Sequence, residues 1–285
     1  MLTVRDVLRE AERALGGLPG SRREALELWA LACGGDSATA WLGRGQAARP
    51  DPVERFREAV TRRRAGEPFA YIAGRAPFRT LTVGVDRRAL IPRPETEGLV
   101  EHALRWAQAR WPDHAWGDAL DVGTGSGCIA LSLAAEGRFR RVVGVDRSAA
   151  ALAVARANRS LVSSPTPVDF EAADLFPAGD ELFDVIVANP PYLTEVEHTA
   201  LDPGVRDFEP REALVSGADG LHHTRSVLTG ARARLAPGGF LGIEVDCRRA
   251  GATLASAVEA GWRDARIEDD VFGRPRYVLA TREIA

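Results

Sequence analysis

No apolar run in this chain is long enough to cross a bilayer as a helix, which excludes a helical membrane-spanning protein. Cysteine is scarce. Cys33, Cys128 and Cys247 stand far apart without a Cys-x-x-Cys pair, which excludes a disulfide framework or a cysteine metal site and fits a reducing cytosol. Lysine is missing altogether: all 37 basic residues are arginine, a coding bias of a GC-rich genome that carries no functional weight. Against 40 acidic residues the net charge is −3, which argues against holding naked nucleic acid by phosphate neutralisation. Nothing at Met1-Leu2-Thr3-Val4-Arg5-Asp6 reads as a secretory signal, so the expected location is the cytoplasm. What is present is ordinary for a globular protein. The chain has 285 residues, 45% apolar and 27% charged, enough for one or two domains with a buried core.

The first 70 or so residues read as helices. Thr3 with Asp6 begins one, and Ser21 with Glu24 has the capping-box pattern of a second. Asp51-Pro52-Val53-Glu54 is the start signal of a third, which ends in Arg62-Arg63-Arg64, a run read as a solvated helix terminus. Around Leu81-Thr82-Val83-Gly84-Val85 the pattern alternates, predicting a β-hairpin. From about residue 118, apolar strands alternate with helices, the signature of a mostly parallel sheet covered on both faces. These strands are read at 119–122, 141–145, 168–171, 183–188, 240–245 and 276–281, with Ala236-Pro237-Gly238-Gly239 as a helix stop and turn.

Two segments carry chemistry. Asp121-Val122-Gly123-Thr124-Gly125-Ser126-Gly127 falls where the first strand turns into a helix, and glycines there let backbone approach a ligand. The spacing is GxGxG where a dinucleotide fingerprint has GxGxxG. A carboxylate at Asp121 suits a cationic ligand better than a diphosphate. Asp146 ends the second strand, positioned to accept hydrogen bonds from ribose hydroxyls. Asp174 and Leu175 follow the third, supplying a carboxylate and an apolar wall for an adenine. Together these predict S-adenosylmethionine (AdoMet) as cofactor. Asn189-Pro190-Pro191-Tyr192 follows another strand, at the end where open α/β sheets bind ligands. Prolines offer carbonyls but no N–H groups, so Asn189 and Pro190 present acceptors beside the flat face of Tyr192. That suits a planar NH2 group. A plain strand-to-loop turn is the bland alternative.

In combination these segments resemble the class I AdoMet-dependent methyltransferases that act on planar nitrogens. More narrowly, 66–74, Leu90-Ile91-Pro92-Arg93-Pro94-Glu95-Thr96-Glu97, 121–133 and 208–221 resemble the HemK/PrmC family. Its members methylate the glutamine N5 of the Gly-Gly-Gln tripeptide in bacterial peptide-chain release factors. The resemblance implies a Rossmann-like seven-stranded α/β sheet with its last strand antiparallel, over residues 93–285. It also implies a helical substrate-recognition domain at 1–74 and a β-hairpin linker at 75–92. The implied catalytic residues are Asn189, Pro190 and Tyr192, with Pro191 also lining the substrate site. The cofactor set is Asp121, Gly123, Thr124, Gly125, Ser126, Gly127, Asp146, Asp174, Leu175 and Asn189, joined by Phe78 and Arg93. Neither a metal nor direct nucleic-acid binding is expected, and S-adenosylhomocysteine is the expected product. The expected partner is a class I release factor, met by a monomer. Methylation of a ribosomal-protein glutamine or of an exocyclic base amine is the alternative, since all present the same NH2. Glu244-Val245-Asp246-Cys247-Arg248 departs from the family pattern. Glu209-Pro210 reads as a brace for the loop after Tyr192. His222-His223 reads as a surface or capping pair rather than a metal site.

Overall fold

The computed structural model describes residues 2–16 and 20–284. The chain divides into two compact units, Met1–Gly74 with Pro203–Phe208, and Arg75–Asp202 with Glu209–Ala285.

The first unit is helical: α1 (Val4–Ala14), α2 (Ser21–Cys33), α3 (Ser37–Leu42), α4 (Pro50–Arg64) and α5 (Phe69–Ala73). Thr3 and Asp6 close a reciprocal capping box on α1, with Asp6 N donating to Thr3 Oγ1 and Thr3 N to Asp6 Oδ2. The core gathers Val7, Leu28, Trp29 and Phe56, the last two rings meeting edge-on at 5.4 Å. Two expected helix starts lie elsewhere. Ser21 is inside α2, whose cap is Gly20 with left-handed φ and no side-chain bond. Asp51 is inside α4, because Pro50 takes the first-turn position that suits its fixed φ. The arginine run is not simply solvated: Arg62 forms a two-bond pair with Glu67 and Arg63 another with Glu24.

The second unit opens with the hairpin β1 (Arg75–Phe78) and β2 (Leu81–Gly84), followed by α6 (Thr96–Arg110). Then come β3 (Trp116–Val122), α7 (Cys128–Glu136), β4 (Phe139–Asp146), α8 (Ala149–Arg159), β5 (Val168–Ala172) and β6 (Phe183–Ala188). After α9 (Glu195–Thr199) the short α10 (Pro203–Arg206) belongs to the first unit. The chain ends through α11 (His222–Arg234), β7 (Leu235–Glu244), α12 (Ala250–Glu259), β8 (Arg266–Asp269) and β9 (Pro275–Thr281). The seven strands run β5-β4-β3-β6-β7-β9-β8, and only β9 opposes its neighbours. Strand order reverses between β3 and β6, the switch point where such sheets open a crevice.

Register brings the right residues to that crevice. Val122 lies opposite both Val145 and Ala188, so the residues that follow β3, β4 and β6 emerge side by side. The hairpin is fastened by Asn158 of α8, whose amide bonds both Gly84 N and Gly84 O and also Ser126 O in the glycine turn. Ala236–Gly239 is part of β7 rather than a turn, because Gly238 N donates to Arg282 O and Arg282 N to Gly239 O. β8 was not foreseen: an edge strand of Arg266, Ile267, Glu268 and Asp269 lacks the apolar run that marks a buried strand.

Candidate active site

A cleft of about 840 Å³, counted to open solvent, lies in the second unit, lined by Gly123, Gly125, Asp146, Asp174, Leu175, Asn189, Pro190 and Pro191 among others. Eight expected site residues thus meet at the C-terminal strand ends. The glycine turn supplies backbone in conformations that L side chains rarely adopt: φ is +72° at Gly123, +55° at Gly125 and +82° at Gly127. Asp146 shapes this floor with both oxygens. Oδ2 accepts from Gly125 N at 2.9 Å, and Oδ1 accepts from Ser148 N at 2.8 Å. Thr124, Ser126 and Gly127 do not line the cleft; they hold the turn from behind. Thr124 donates to Asp121 Oδ2 at 2.6 Å, and Asn158 takes up Ser126 O.

Asp121 is fully buried. Its Oδ2 also accepts from Ala130 N, while Oδ1 has no hydrogen-bond partner among the described residues. Burial pushes its carboxyl up to about 7, and the nearby Asp146 charge adds to the rise. A ligand carrying positive charge near this turn would offset that repulsion, so the donor set fits the sulfonium and ammonium groups of AdoMet. The proton on Asp121 also has a stability consequence. Between the ordinary carboxylate value of 3.8 and about 7, the folded protein holds a proton that the unfolded chain has released. Stability therefore falls as pH rises through that window. In urea titrations of ligand-free protein, Asp121→Asn is expected to lose less stability than the parent between pH 3.8 and about pH 7. Parallel pH profiles would remove Asp121 from the account. Glu244, also raised to about 7 by burial, leaves a residual slope in both proteins.

Asn189 is half-buried. Its Nδ2 donates to Thr96 Oγ1 at 3.0 Å, while its Oδ1 carries no hydrogen bond among the described residues. Pro190 is buried, and burial lifts the Tyr192 hydroxyl to about 12, with the Glu244 charge contributing. Tyr192 does not line the cleft. The loop is stapled from outside: Tyr192 N and Leu193 N both donate to Leu214 O, and Ser216 N returns a bond to Leu193 O. This gives the 213–221 segment its purpose.

Other expected residues fall outside the cleft. Phe78 is 1% exposed, filling the inner face of the hairpin. Arg93 is turned to Glu209, whose carboxylate accepts from Arg93 Nη2 at 2.6 Å and from Ile91 N at 3.1 Å. Glu209 thus braces the 91–93 segment rather than the loop after Tyr192. The unusual 246–249 segment forms ion pairs: Arg248 with Asp246 and Glu197, and Arg249 with Glu197, while Arg249 Nε bonds Asp219 O. His223 lines the cleft with its Nδ1 2.9 Å from Ser216 Oγ, while His222 is exposed. No metal-holding group of His, Cys, Asp or Glu occurs among the described residues.

A glycine-lined cradle with the Asp146 carboxylate beside it, at the switch point of a 5-4-3-6-7-9-8 sheet, defines a class I AdoMet-dependent methyltransferase. Residues 108–202 match the methyltransferase small domain, and 6–74 match the PrmC N-terminal domain. The chain is 37% identical to the release factor glutamine methyltransferase of Cereibacter sphaeroides, over 96% of this chain and 97% of that one. With the enzyme of the same name from Moorella thermoacetica identity is 38% over 99% of each. At the level of fold alone it resembles the T. thermophilus 16S rRNA N2 G1207 methyltransferase solved with AdoMet and guanosine. That likeness has a TM-score of 0.50 at 19% identity, over 73% of this chain and 50% of that one. The chain belongs to the family of release factor glutamine methyltransferases.

Proposed function

We propose that this protein transfers a methyl group from AdoMet to the side-chain N5 of the glutamine in the Gly-Gly-Gln motif of class I release factors. The observation that carries the reading is Asn189: its Nδ2 is tied down by Thr96, and its Oδ1 is left to a ligand at the cleft. An amide nitrogen is a weak nucleophile because its lone pair is shared with the carbonyl. Asn189 Oδ1 and the Pro190 carbonyl would accept its two N–H bonds, fix its plane and raise its electron density as positive charge develops. Tyr192, outside the cleft lining, is given no contact with that plane; its backbone N–H to Leu214 O anchors the acceptor loop. When bound, AdoMet supplies an electrophilic methyl on its sulfonium. Asp121, Asp146, Asp174 and the glycine turn would hold it, and much of the rate would come from the alignment they impose. The methylated nitrogen sheds its extra proton readily, so no side-chain base is assigned.

The helical unit at 1–74 is the part we assign to gripping the release factor, with 75–92 as the linker and 93–285 as the catalytic domain. We place the enzyme in the cytoplasm, acting as a monomer on the protein factor without direct contact to nucleic acid. The test is transfer of labelled methyl to a release factor and to the same factor with its Gly-Gly-Gln glutamine changed to alanine. Labelling of the first alone is expected. Equal labelling of both, or labelling of RNA instead, would sink the reading.

A further inference from the structure

Asn189 works only if its amide is turned the right way round. A primary amide can flip, and the flipped form would offer the substrate's NH2 another NH2. The structure places a reason against the flip behind Asn189. Ala188 and Ile243 are register partners on β6 and β7, so the next residues, Asn189 and Glu244, emerge together at the same sheet edge. Thr96, the first residue of α6, reaches this point and receives Asn189 Nδ2 at 3.0 Å. Thr96 is 2% exposed and Glu244 1%. The start of α6 is itself held, because Tyr277 of β9 donates its hydroxyl to Glu95 O at 2.6 Å.

A hydroxyl has one proton to donate. The Thr96 hydroxyl lies beside the Glu244 carboxyl and stabilises its charged form. A hydroxyl whose proton is directed to that carboxyl can only accept from Asn189, and accepting requires Nδ2 rather than Oδ1 to face inward. Glu244 has reason to take the proton: its Oε2 is buried without a partner among the described residues.

We propose that Thr96, backed by Glu244, is a positioning residue that locks the Asn189 amide with Oδ1 facing the substrate. The role rests on the glutamine-transfer reading above, in which Asn189 Oδ1 is the acceptor.

Thr96→Val keeps the shape and removes the hydroxyl. Its kcat on a release factor is expected to fall roughly 10- to 100-fold, the scale of a displaced reacting group. KM, thermal midpoint and S-adenosylhomocysteine affinity by calorimetry should hold within about threefold or a few degrees. Thr96→Ser should restore kcat to within about threefold. Glu244→Gln, whose carbonyl can still accept the hydroxyl proton, should do likewise. In the Asn189→Ala background Thr96→Val should have no further effect on kcat, because it acts only through Asn189. Independently of turnover, the Asn189 side-chain amide resonances should exchange faster with solvent in Thr96→Val. Full activity in Thr96→Val, or multiplied losses in the double variant, would overturn the proposal. So would Glu244→Gln falling as far as Thr96→Val. If Thr96→Val does not fold, amide exchange no faster than the parent's and an unreduced kcat in Thr96→Ser support the role, and faster exchange or a lower kcat there overturns it. An inactive parent protein would instead count against the transfer reading, leaving amide exchange to judge the lock.

Discussion

Asn189→Ala is expected to slow transfer by roughly 10²–10³-fold while leaving the cofactor site in place. On the glutamine-transfer reading the variant removes one of two acceptors for the reacting nitrogen, a kind of preorganised group whose loss costs on the order of 10²–10³ in kcat. Cofactor affinity should change by no more than about 1–2 kcal/mol, the scale of one hydrogen bond. The two effects separate because different parts of the chain carry them. The cradle of Gly123, Gly125 and Asp146 is held by bonds among Gly125, Ser148, Thr124 and Asp121, none involving Asn189. Asn189 is bonded instead to Thr96 on α6. Calorimetry with S-adenosylhomocysteine and single-turnover transfer on the same preparation would check both halves. A variant that neither folds nor binds cofactor would make Asn189 a structural residue.

The residues that act through backbone and strand position were legible in the sequence. Asp146 and Asn189 end apolar strands, and a parallel sheet delivers strand ends to one edge whatever the details of packing. Gly123, Gly125 and Gly127 declared a turn that other residues rarely adopt. What stayed hidden depends on which way a side chain points after folding. Phe78 alternates correctly for a strand, but a period of two cannot say which face meets the cleft, and it points into the core. The family resemblance points Arg93 toward the cofactor, yet its partner Glu209 lies 116 residues on. The Thr96–Asn189 bond spans 93 residues and joins a helix start to a strand end, a meeting that no local pattern announces. β8 escaped for a simpler reason: a short, half-exposed edge strand needs no hydrophobic run.

Gly220→Ala is expected to cripple transfer from a position outside the cleft. Gly220 is buried with φ +75°, and a Cβ built there would sit 2.4 Å from the Tyr192 carbonyl oxygen and 2.6 Å from Arg249 Nε. Neither neighbour can retreat freely. Tyr192 is on the loop that Leu214 holds, and Arg249 is bonded to Asp219 O and paired with Glu197. The left-handed backbone costs an alanine about 1–2 kcal/mol, and the crowding adds about 1–3 kcal/mol. Relief comes by pushing the Asn189–Tyr192 loop outward, and a displacement near 1 Å at a reacting centre lowers rate by roughly 10²-fold. Gly179→Ala is the control. Its φ is +90°, but no atom lies within 4 Å of the added carbon, so it carries the backbone cost without the push. It should lose about 1–2 kcal/mol of stability and keep its kcat. If Gly220→Ala loses stability like this control and transfers methyl at the parental rate, the 217–221 turn does not set the position of Tyr192. Parental cofactor affinity with a kcat down about two orders of magnitude would place the turn's role in holding the acceptor loop against the reacting amide.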